Sequence, residues 1–73
     1  MGETTVRSEL HAVVWKIEVV AGAPVQAGDT LIILEAMKME IPVAAPRAGR
    51  VKTILVAEKQ QVAEGQPLAI LQF

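Results

Sequence analysis

The chain of 73 residues contains no cysteine. That excludes a disulfide, a thiolate zinc site, an iron–sulfur cluster and a thiol nucleophile. Aromatic residues are nearly absent as well: one Trp, one Phe and no Tyr. An excess of one charge is also lacking. Seven Lys and Arg stand against eight Asp and Glu, for a net charge of −1 at pH 7. There is no basic stripe to follow a phosphate backbone and no set of rings to stack on bases, so nucleic acid is not an expected partner. No apolar run exceeds four residues, whereas a helix needs about 20 to span a bilayer. No membrane association is expected. No secretory leader is legible at the start, and the expected location is cytoplasmic.

What remains is small and aliphatic. Hydrophobic residues make up 52 % of the chain, and 11 Ala and 10 Val dominate them. The length suits one domain over residues 1–73, with residues 1–5 expected as a loose N-terminal segment. A chain of this size buries only about 60 % of the surface that its unfolded form exposes. Packing alone must hold it, and the core of small side chains leaves little room for an enclosed pocket of several hundred cubic ångströms.

The apolar residues alternate or run continuously, as strands require. Val13 to Val20, Leu31 to Glu35, Met39 to Val43, Val51 to Val56 and Leu68 to Leu71 are rich in Val, Ile and Leu. Gly- and Pro-containing stretches separate them. Ala57 to Glu64 could form a helical turn, but it has too few large apolar residues to anchor a helix. The expected class is all-β.

The chain repeats itself at an offset of 37 residues. Val14, Ile17, Val19, Val25, Gly28, Leu31, Ile33 and Leu34 match Val51, Ile54, Val56, Val62, Gly65, Leu68, Ile70 and Leu71. Two such halves are expected to pack about a pseudo-twofold axis. After Leu34 the chain continues through Lys38, but the matching stretch after Leu71 stops at Phe73. Lys38 should therefore project at one end of the domain, with the C-terminus at the other.

Glu35-Ala36-Met37-Lys38-Met39-Glu40 joins two strand-like runs without Gly, Asn or Asp. A two-residue hairpin at Met37-Lys38 would pair Ala36 with Met39, Glu35 with Glu40 and Leu34 with Ile41. Such turns need positive φ at both central residues, for which Met and Lys are poor choices. The two glutamates would face each other as like charges. A segment that breaks two local rules is a candidate functional site.

The same residues resemble a known motif. Ala36-Met37-Lys38-Met39 is similar to the biotin-attachment motif of the biotinyl/lipoyl domain family, and the resemblance extends from about Ser8 to Leu71, repeat included. It implies a flattened β-barrel, a barrel-sandwich hybrid of two four-stranded antiparallel sheets with pseudo-twofold symmetry. It implies covalent biotin on Lys38, with Glu35, Ala36, Met37, Met39 and Glu40 as motif residues that a ligase would recognise. Biotin protein ligase, biotin carboxylase and carboxyltransferase are the implied partners. The implied role is a non-catalytic carrier of a multi-subunit carboxylase, monomeric when isolated. Its biotinyl group would be a swinging arm for CO2, loaded when the Lys38 amine attacks an activated biotin.

Two alternatives stand beside this reading. One is a lipoyl carrier of a 2-oxo acid dehydrogenase or glycine-cleavage system, or a domain accepting both groups; lipoyl domains typically place Asp-Lys-Ala where this chain has Met-Lys-Met. The other is an unmodified structural adaptor. Ser8-Glu9-Leu10-His11-Ala12 also departs from the family's Ala-Pro-Met-Pro-Gly, and Ala12 tolerates positive φ less readily than Gly. His11 has no second His or Cys for a metal site. Ser8, His11 and Asp29, each the sole residue of its type, show no triad spacing. Trp15 is expected in the core or at a packed edge.

Overall fold

The computed structural model describes all 73 residues and contains strands and turns only. Eight strands follow in order: β1 (Glu3–Arg7), β2 (Ala12–Ile17), β3 (Pro24–Val25), β4 (Thr30–Ala36), β5 (Met39–Ala44), β6 (Gly49–Ile54), β7 (Gln61–Val62) and β8 (Pro67–Gln72). They form two antiparallel four-stranded sheets, ordered β1-β8-β6-β3 and β5-β4-β2-β7. The class and the two-sheet architecture are those expected. In hydrogen-bonding terms the barrel is open: β1, β3, β5 and β7 are edges, so the domain is a sandwich.

The 37-residue repeat maps one sheet onto the other. β2, β3 and β4 correspond to β6, β7 and β8, and β1 corresponds to β5. The core follows the same rule. Val14 and Val51, Leu31 and Leu68, and Leu34 and Leu71 are equivalent pairs, and all are buried. Ile33 and Ile70, also matched in sequence, are only half-buried because strand alternation turns them outward. The equivalent inner strands β2 and β6 carry a register shift at the same place, at Trp15 and at Lys52. A bulge re-aims the extra residue. Trp15 is accordingly exposed on an inner strand, which corrects its expected place in the core or at an edge.

One further expectation changes. The segment expected to be loose is strand from Glu3 onward: Glu3, Thr4 and Thr5 pair with Gln72, Leu71 and Ile70. Only Val6 of β1 is fully buried, so backbone pairing rather than apolar content defines the strand. Ala57 to Glu64 contains a turn and β7 and no helix, as its few large apolar residues implied. The equivalent turns at 26–29 and 63–66 close alike. Asp29 Oδ2 accepts from the Gln26 N–H at 2.9 Å, and Gln66 Oε1 accepts from the Ala63 N–H at 3.0 Å.

Candidate functional site

The β4–β5 hairpin closes on Met37 and Lys38, and its register is the expected one: Ala36 opposite Met39, Glu35 opposite Glu40, Leu34 opposite Ile41. Met37 has φ 51° and Lys38 has φ 64°. Positive φ at both central residues is the type I′ geometry whose twist matches the flanking strands. It costs on the order of 1–3 kcal/mol for each residue other than Gly. Buried Leu34, in pairing register with half-buried Ile41, anchors the base of the hairpin while its tip stands clear.

The tip is open to solvent. Met37 is 94 % and Met39 65 % exposed, so both are largely open to solvent. Lys38, Glu35 and Glu40 are exposed, and Ala36 is half-buried. The two ion pairs of the molecule are Lys16–Glu18 and Lys52–Glu3; neither engages Lys38. The lysine amine is thus unpaired, on a short stalk, beside two carboxylates set across from each other. Such an arrangement leaves the amine accessible to an external reagent.

The termini take the equivalent position in the other sheet. The Gly2 N–H donates to the Phe73 carbonyl at 2.7 Å, and the Phe73 N–H donates to the Gly2 carbonyl at 2.9 Å. Phe73 and Gly2 therefore face each other as Ala36 faces Met39, but the chain break replaces the turn. Gln66, just before β8, lines a groove with Lys38, while Phe73 lies beyond the other end of that strand. The lysine and the termini occupy opposite ends, as the repeat implied.

That groove is open to solvent and holds about 840 Å³. His11, Ala12 and Val13 of one segment meet Glu35 to Lys38 of the hairpin and Gln61 to Ala63 of β7 and its following turn. It is a surface concavity, in keeping with a core too thin to enclose a pocket. Gln61 and Gln66 were not among the expected site residues. They lie more than 20 positions from Lys38, and only the fold brings them to it.

Ser8, His11 and Asp29 do not assemble. The Ser8 hydroxyl donates to the Leu10 carbonyl at 2.6 Å, and Asp29 serves its own turn. Ala12 needs no positive φ, and neither does its equivalent, Gly49. Gly49 is required for a different reason: a Cβ there would lie 2.6 Å from the Gln72 carbonyl oxygen. The departure at Ala12 is therefore accommodated without strain.

Residues 2–71 match the family described as "Biotin-requiring enzyme", that of biotin/lipoyl attachment domains. The biotin/lipoyl attachment protein of Bacillus subtilis is 42 % identical over 64 residues, covering 88 % of each chain. The biotinylated protein TB7.3 homolog of Mycobacterium leprae is 39 % identical over 66 residues, covering 90 % of this chain and 93 % of that one. Among solved structures, the urea carboxylase of Kluyveromyces lactis superposes with a TM-score of 0.93 at 35 % identity. The match covers 99 % of this chain and 6 % of that enzyme.

Proposed function

This chain belongs to the biotin/lipoyl attachment family, and from that membership we propose that it is a biotin carboxyl carrier with biotin joined to the Lys38 amine. The observation that carries the reading is the hairpin tip: an unpaired, exposed lysine in a type I′ turn, flanked by exposed Met37 and Met39, at the end opposite the termini.

A biotin protein ligase supplies biotin as an acyl-adenylate. The Lys38 nitrogen attacks the acyl carbon, adenylate leaves, and the amine proton passes to the ligase or solvent. The amide carries no charge, so the tip becomes one unit more negative. The carried ureido ring then accepts a carboxyl group at a biotin carboxylase and gives it up at a carboxyltransferase. The carrier contributes position rather than catalysis. A tethered group reaches both sites at an effective concentration on the order of millimolar, against dilute free biotin. The unit acts as a monomer within a multi-subunit carboxylase.

Met37 is almost wholly and Met39 mostly exposed, which supports a role in ligase recognition over packing. Glu35 and Glu40 make no ion pair within the chain, so both carboxylates are available to a basic ligase surface. Lipoate on the same lysine is the second reading, favoured by the similarity to an attachment protein named for both groups. Incubation with a biotin ligase, biotin and ATP should add one biotinyl group by intact mass, and Lys38→Arg should abolish the addition. An unmodified wild-type chain, or an adduct that survives in Lys38→Arg, would overturn the assignment.

A further inference from the structure

The groove beside Lys38 has no counterpart at the other end of the molecule. The two surface cavities lie at the lysine end and between β1 and β5, and neither is lined by Pro24, Ala48 or Phe73. The repeat shows what distinguishes the lysine end. His11, Gln61 and Gln66 stand where the other half has Ala48, Pro24 and Asp29. These three hydrogen-bonding side chains join Glu35 and Lys38 in lining the groove, and at two of the three positions the other half has an apolar residue. The third exchange is the informative one. Gln66 and Asp29 cap equivalent turns through a side-chain oxygen, so a carboxylate suffices for the fold. An amide at position 66 adds an NH2 donor that makes no hydrogen bond within the chain, and its oxygen is held by the Ala63 N–H. Half-buried Ala12 and Val13 and buried Val62 supply apolar lining. A volume of about 840 Å³ falls in the range of small-molecule sites.

We propose that this groove seats the biotinyl arm borne by Lys38 of the same chain, the Gln66 NH2 donating to the ureido carbonyl and the fused rings lying against Val13 and Val62. The occupant follows from the tether: Lys38 itself lines the groove, so whatever it carries is held there at an effective concentration on the order of millimolar. Even weak intrinsic affinity then keeps the arm docked for much of the time. Carboxylase partners would withdraw it from this seat. The proposal rests on the carrier reading.

Amide NMR of the ligase-loaded and unloaded chains tests it. Docking predicts shifts at Ala12, Val13, Gln61 to Ala63 and the Gln66 side chain, with nuclear Overhauser contacts from the ring protons to Val13 or Val62. Gln66→Asp keeps the turn cap, as Asp29 does, but removes the donor. It should erase the shifts at Ala12 and Val13 and speed avidin capture of the arm about two- to tenfold. Perturbation confined to Met37–Met39, or capture unchanged in Gln66→Asp with the turn intact, would overturn the proposal. Because the chain lacks cysteine, Lys38→Cys bearing a thioether-linked biotin applies the same readouts without a ligase. Shifts in the groove of that conjugate support the seat and their absence refutes it, even where failed enzymatic loading has refuted the carrier reading.

Discussion

Lys59 occupies the place in the second half that Gly22 occupies in the first, and both have positive φ, 73° and 92°. The glycine meets nothing within 4 Å of a built Cβ, so space does not explain it; conformation does. Lysine in the left-handed region costs on the order of 1–3 kcal/mol, less the chain entropy that glycine gives up on folding. Lys59→Gly should stabilise the domain by about 1 kcal/mol, and Gly22→Ala should destabilise it by a similar amount. Urea midpoints at constant slope would register both. Equal midpoints for Lys59→Gly and wild type would mean that the strain relaxes elsewhere.

The same physics applies at Met37, with the opposite consequence for function. Asn adopts positive φ more readily than Met and is favoured at the first central position of a type I′ turn. Met37→Asn should gain about 1 kcal/mol in stability. If the exposed thioether is a recognition element, ligase turnover should fall at the same time. A variant that is more stable and loaded at the wild-type rate would assign Met37 to the turn alone.

Gly49 tests the sheet that does not carry Lys38. A Cβ at this position meets the Gln72 carbonyl oxygen at 2.6 Å, which is backbone and cannot swing aside. Gly49→Ala should cost about 1–3 kcal/mol through a forced backbone shift. Loading of Lys38 in the folded fraction should remain at the wild-type rate, since the β4–β5 hairpin belongs to the other sheet. Gly2→Ala meets only the Phe73 side chain, at 2.7 Å, so the ring and the Arg47 guanidinium stacked on it must shift rather than backbone, and its effect should be smaller.

Glu35 and Glu40 face each other across the hairpin as like charges. Relieving the repulsion with Glu40→Gln should raise stability by about 0.2–1 kcal/mol, and added salt should shrink the difference. If the carboxylates contact a basic ligase surface, the same substitution should raise KM for the carrier with little change in kcat. Steady-state kinetics of biotinylation read that split directly.

Much of this architecture was legible in the residues. The repeat specified which halves correspond, and Leu34 with Ile41 specified the hairpin register. Three strands carry little signal in the sequence. β3 and β7 have two residues each, too few for any period, and β1 has a single fully buried side chain. Alternation alone cannot reveal the bulge that exposes Trp15. The lysine was visible because its motif is contiguous. The groove was not, because its walls come from three distant segments, and only the pairing of β7 with β2 brings them together beside the hairpin.

Transfer of labelled carboxyl is the measurement closest to the central claim. The loaded chain would be incubated with a biotin carboxylase, ATP and labelled bicarbonate, then separated from small molecules and passed to a carboxyltransferase. The account predicts label on the loaded protein, none on Lys38→Arg, and release of the label to the acceptor. A loaded chain that never takes up label, or label that persists in Lys38→Arg, would contradict it.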